Sequence, residues 1–138
     1  HQVFSNPYDI DHVTGMVREV YAGRVSFVDG DAELAPGLSV HHIGGHTDGM
    51  MSVRVWTKRG WVVLASDALH LYANMETTNP FPIVHSVGDM VKGYARLHEL
   101  ADSSAHIIAG HDPRVMAEYP PVSDELVGIA VRLDVPPS

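Results

Sequence analysis

The run Trp61-Val62-Val63-Leu64-Ala65 constrains the fold more than any other stretch of the chain. Every residue in it is apolar, so a strand built from it must be covered on both faces. Met51 to Thr57 precedes it with alternating character, and Lys58-Arg59-Gly60 supplies a turn between the two. The pair is therefore expected to form a hairpin. A doubly covered strand needs layers of other elements around it, and the rest of the chain offers them. Residues 10–21 carry Ile10, Val13, Val17, Val20 and Tyr21 at helical spacing, with Pro7 and Asp9 suited to the helix start and Gly23 to its stop. Residues 87–101 form a second helical pattern, with Met90, Val91, Tyr94, Leu97 and Leu100 on one side. Short strands are expected at residues 24–28, 33–34, 38–43, 106–109 and 129–133. Residues 69–86 are irregular, with Asn79-Pro80-Phe81-Pro82 inside them, and form a long ordered loop or a broken helix. The expected class is α/β (α+β), in one domain spanning residues 1–138 with no repeat or linker.

Composition narrows the function. Of the 138 residues, 45% are hydrophobic and 19% charged, as in a folded globular chain. The net charge of -8 argues against nucleic acid or an anionic membrane surface as partner. No apolar stretch is long enough to span a bilayer. The chain has no cysteine, which removes disulfides and thiolate chemistry and suits a cytoplasmic location. It has ten histidines, and their positions matter more than their number.

Three groups share one context. His46 lies in the loop Gly44-Gly45-His46-Thr47-Asp48-Gly49 after a strand. Asp67 ends the apolar strand at Ala65-Ser66-Asp67-Ala68. His111 ends another short strand at Ala109-Gly110-His111-Asp112. Groups at strand ends can converge on one edge of a sheet. Their wide separation in sequence excludes a zinc finger and suits a site assembled by the fold. Imidazole and carboxylate are good ligands for zinc and similar divalent metals, and one carboxylate can bridge two ions about 3.5–4 Å apart. Taken singly, each has an ordinary explanation: a surface histidine, or an Asp capping a helix.

Taken together, these motifs resemble the later part of the metallo-β-lactamase superfamily signature, over roughly residues 25–113. Within that superfamily the Ser66-Asp67-Ala68 motif and the Asn79-Pro80-Phe81-Pro82 segment look most like the N-acyl homoserine lactonase (quorum-quenching) group. The resemblance implies about one half of a four-layer αβ/βα sandwich, binding two divalent ions, expected to be zinc. It assigns His46 to one ion, His111 to the other and Asp67 to both. Family lactonases often carry a Tyr three residues after the bridging Asp, where it holds the substrate carbonyl. His70 stands at that position here, with Tyr72 nearby. The implied activity is ring opening of an acyl lactone by a bridging hydroxide, with Asp67 and His70 as catalytic residues and Phe81, Pro82 and Ile83 lining the acyl pocket. A thioesterase of the glyoxalase II kind is the alternative within the superfamily. A β-lactamase is disfavoured, because several of those use a Cys ligand.

The superfamily's first motif, H-x-H-x-D-H, does not occur. Asp9-Ile10-Asp11-His12 matches only its last two residues and reads as helix-start chemistry. The expectation is therefore the C-terminal half of a larger domain whose N-terminal half is a missing partner. The start without Met fits a trimmed or incompletely recorded chain. Such a half offers two protein ligands per ion, fewer than the three usual for catalytic zinc. It should bind metal weakly alone and leave one sheet face uncovered. A non-catalytic half-domain, acting by pairing such as in a homodimer, is the alternative outside enzymes. Of the remaining histidines, at most one of His41 and His42 can face the site, His85 can line a pocket, and His98 and His106 are expected to be surface or edge residues.

Overall fold

A computed structural model describes residues 8–138. Pro7, expected near the first helix start, lies outside them. Helix α1 (Ile10–Tyr21) begins where Asp9 caps it, its carboxylate accepting from the Asp11 N–H at 2.8 Å. This settles Asp9-Ile10-Asp11-His12 as capping chemistry. Then come strands β1 (Ala32–Ala35), β2 (Leu38–His42), β3 (Met51–Thr57) and β4 (Gly60–Ser66), the short helix α2 (Tyr72–Glu76), helix α3 (Val87–Leu100), strand β5 (Ile107–Ala109) and helix α4 (Arg114–Glu118). The strands form one sheet in the order β1-β2-β3-β4-β5. β1 to β4 run antiparallel, and β5 joins β4 in parallel. A parallel neighbour requires a crossover, which α2 and α3 provide.

The central strand behaves as its sequence dictates. Val62 and Val63 are consecutive, point to opposite faces, and are both fully buried. On one face Val63, Ala65 and Ile107 pack against Met90, Tyr94, Leu97 and Leu100 of α3. On the other, Val62 and Ile108 pack with Tyr119, flanked by Val131 and Leu133 from the C-terminal segment. The face expected to be uncovered is thus covered at its β4–β5 end. Leu38, Val40 and Val53, farther along the same face by the strand register, remain half-buried.

Three local expectations change. Residues 24–28 form no strand, and Phe27 is 79% exposed: the alternation is present, but no sheet edge pairs with it. Residues 129–133 supply one isolated bridge, Pro121 to Val131, because proline offers no N–H to extend a ladder. Val91 is exposed, and Gly93 takes the buried position in the α3 stripe. Among the described residues no helix is long and apolar enough to cross a membrane.

Candidate metal centre

Strand direction assembles the site. β4 and β5 are parallel, with Ser66 registered on Ala109, so both strands end at the same edge of the sheet. β2 is antiparallel to β3, and β3 to β4, so β2 also ends there. The residues that follow these three ends are the His46 loop, Asp67 and the Gly110-His111 pair.

Each loop is held by backbone contacts. Gly45 has φ +86°, and a Cβ placed on it would lie 2.6 Å from Met90 Sδ at the start of α3. Only glycine allows that approach. The Gly45 carbonyl accepts from the His85 and Ser86 N–H groups at 2.9 and 3.0 Å, tying the loop to the α3 N-terminus. At the other two ends, a Cβ on Gly110 would meet the Ser66 carbonyl oxygen at 2.5 Å. The Gly110 N–H donates to Leu69 O at 2.8 Å and the His111 N–H to His70 O at 3.0 Å, lacing the two loops side by side. Asp112 accepts from the Tyr72 and Arg114 N–H groups, both at 2.9 Å, and fixes the chain just after His111.

The result is a carboxylate faced by three imidazoles. His46 Nε2 lies 3.8 Å from Asp67 Oδ2, while His70 Nε2 and His111 Nε2 lie 3.3 and 2.6 Å from Oδ1. His46 donates from Nδ1 to the Ile83 carbonyl at 2.7 Å, which leaves its Nε2 facing the cluster. His70 stacks flat on Phe81, with centroids 3.5 Å apart and planes 5° off parallel, and meets His111 edge-on at 4.4 Å. Burial pushes the His70 imidazole below its ordinary pKa. The nearby His111 and His46 add to this, and Asp67 opposes it. One donor atom each from His46, Asp67 and His70 all lie within 4.8 Å of one another. The donor chemistry, nitrogen from neutral imidazole and oxygen from carboxylate, suits a divalent metal.

All three ligand candidates read from the sequence therefore meet at one edge, and His70 joins them. Its signal was the three-residue spacing from Asp67. Tyr72 is buried in the main core, which is its packing reading. His41 bonds to Asp31 and Ser39, and His42 Nε2 to the Asp48 carbonyl at 2.7 Å. His106 is held by Ser103 and the Arg59 carbonyl, and His98 is exposed on α3. His85 lines a cleft with His42, Asp89 and Arg96. A cavity of about 750 Å³ opens beside Trp56 and Trp61, and none of the four cluster residues lines it.

No family model matches the sequence, and no curated protein does. Solved structures do. One is an N-acyl homoserine lactone hydrolase with the product N-hexanoyl-L-homoserine at its catalytic metal centre, 29% identical over 63% of this chain, TM-score 0.57. A quorum-quenching N-acyl homoserine lactone lactonase matches with the same identity, coverage of this chain and TM-score. A probable metal-dependent hydrolase from Staphylococcus aureus matches over 72% of this chain at 15% identity, TM-score 0.55. This chain spans 35%, 37% and 35% of these three, respectively. Over the matched part, the chain has the fold of the lactonase-like hydrolases of the metallo-β-lactamase superfamily.

Proposed function

We propose that this chain contributes one wall of the two-metal centre of a hydrolase that opens acyl lactones. One observation carries the reading: imidazoles face both oxygens of Asp67, His46 at Oδ2 and His70 and His111 at Oδ1. A carboxylate used from both sides in this way suits a bridge between two ions. His46 would hold one ion, His111 the other, and Asp67 both. When bound, the ions polarise an ester carbonyl and lower the pKa of a water molecule.

The chain's own residues set the surroundings of that chemistry. Phe81 lies 5.4 Å from His46 and stacks on His70, so one side of the cluster is apolar. Ile83 anchors His46 through its carbonyl while its side chain is 70% exposed. An apolar wall beside a hydrolytic centre favours a substrate with an acyl chain, and the similar lactone hydrolase holds such a product at its metal centre. Asp67 and His111 give the second ion only two protein donors, against the three usual for catalytic zinc. The remainder is expected from a segment carrying H-x-H-x-D-H.

The test is metal content and substrate range of the protein with its complete donor set. Asp67→Ala should abolish two-metal loading by elemental analysis. Hydrolysis should favour lactones over thioesters and β-lactams. Unchanged loading would remove the bridging role, and a preference for thioesters would move the protein to the glyoxalase II-like group.

A further inference from the structure

We infer that His70 is itself a metal ligand, completing with His46 and Asp67 a three-donor site for one divalent cation within this chain. The inference rests on the reading of the cluster as a metal centre and changes the part His70 plays in it. The resemblance alone would turn His70 outward to touch a substrate carbonyl. In the structure its Nε2 instead faces Asp67 Oδ1 at 3.3 Å. The ring has little freedom to turn away. Phe81 covers one face at 3.5 Å and His111 closes in at 4.4 Å.

The distances suit a shared ion. Donor atoms of His46, Asp67 and His70 lie within 4.8 Å of one another. Metal–nitrogen and metal–oxygen bonds of about 2.0–2.2 Å put two ligands of one ion at most about 4.4 Å apart. Closing on a cation therefore requires only small side-chain movements. The exposures point the same way: the His46 and His70 side chains are 21% and 24% exposed, whereas His111 is 59% exposed. Two imidazoles and a carboxylate form a complete protein set for a catalytic zinc-like ion, with an open position left over. The chain alone then holds one ion firmly, where the sequence implied two donors per ion and weak binding. His111, hydrogen-bonded to the same Asp67 oxygen at 2.6 Å, is left for the second ion.

The experiment is competitive zinc and cobalt titration of the 138-residue chain, with long-range 1H–15N spectra of its imidazole rings. The expected result is one zinc per chain, with His70 Nε2 and His46 Nε2 shifting together on zinc addition. His70→Ala and His70→Tyr should each weaken zinc by more than about 100-fold, beyond the 10–100-fold expected of an outer-shell partner. They should also change the cobalt visible spectrum, with the far-ultraviolet circular dichroism of the chain preserved. An unshifted His70 Nε2 overturns the inference without reference to any variant. So does a loss of 100-fold or less in folded variants, or failure of the wild-type chain to take up zinc. If zinc binds but His46→Ala and Asp67→Ala leave its affinity intact, the metal-centre reading itself fails. If those two lose zinc while His70→Tyr keeps it, only the assignment of His70 falls.

Discussion

Asp31 and Asp67 are both carboxylates beside imidazole, and their remaining partners tell the two apart. Asp31 accepts from His41 Nδ1 at 2.8 Å, from the His42 N–H at 3.0 Å and from Arg96 at 2.7 Å. Its partners include a guanidinium and a backbone amide, so its lone pairs are committed to holding β2 against α3. Among the described residues, Asp67 is faced by imidazole nitrogens alone. The hydrogen bond from His41 holds the Asp31 carboxyl below its ordinary pKa, with the His42 amide and Arg96 acting in the same direction. A carboxyl with a lowered folded pKa adds stability that is present above its unfolded pKa and disappears as pH falls through the folded one. Asp31→Asn should therefore destabilise the chain at pH 7, by at most about 1 kcal/mol because the side chain is 43% exposed and screened. Urea melts of the two proteins should converge once the pH is well below the ordinary carboxylate range. A difference that persisted there would mean that lost packing, not charge, was being measured. At this scale His46, Asp67 and His111 were legible, because turn-forming or strand-ending neighbours announced each one. The three-residue spacing from Asp67 pointed to His70 as well, but its approach to Asp67 was not legible, since that depends on a stack with Phe81 from the irregular segment.

Elements position the site through close backbone approaches, and these are where single changes should matter most. Gly45→Ala forces a side chain onto a φ of +86° and drives its Cβ to 2.6 Å from Met90 Sδ and 2.7 Å from the Met90 nitrogen. The left-handed backbone costs about 1–2 kcal/mol and overpacking about 1–3 kcal/mol. A loss of about 2–5 kcal/mol is expected in chemical denaturation, with weaker zinc binding, because the same glycine carbonyl ties the His46 loop to α3. Gly49→Ala, in the same loop but with open space around its Cβ, should change neither. The β3–β4 hairpin, α3 and β5 were readable because each combines a clear apolar period with turn signals. Residues 24–28 and 129–133 were misread for one reason. Alternation states what a strand would bury, but it does not say whether an edge is free to pair with it. The parallel placement of β5, which brings His111 to Asp67, is likewise a property of the crossover and not of any local pattern.

Across the whole molecule, stability is concentrated away from the first helix. α1 buries no residue, and Val13, Met16 and Val17 are 44%, 48% and 50% exposed. α3 buries Met90, Tyr94, Leu97 and Leu100 against the sheet and carries the cap that fixes the His46 loop. Leu97 is fully buried, so Leu97→Ala leaves a cavity and should cost about 2–5 kcal/mol. Val17→Ala removes a half-exposed side chain and should stay within about 0.5 kcal/mol. Amide exchange should order the elements in the same way, with α1 opening first and β4, β5 and the α3 core last. The candidate metal centre should belong to the slow set, because its residues follow the ends of β2, β4 and β5. Zinc should therefore slow exchange in the 43–50, 66–70 and 109–112 loops while leaving α1 unchanged. If α1 were protected as strongly as α3, or if Val17→Ala cost as much as Leu97→Ala, the helix would be packed on a surface in solution. The stability of the site would then depend on more than the sheet edge and α3.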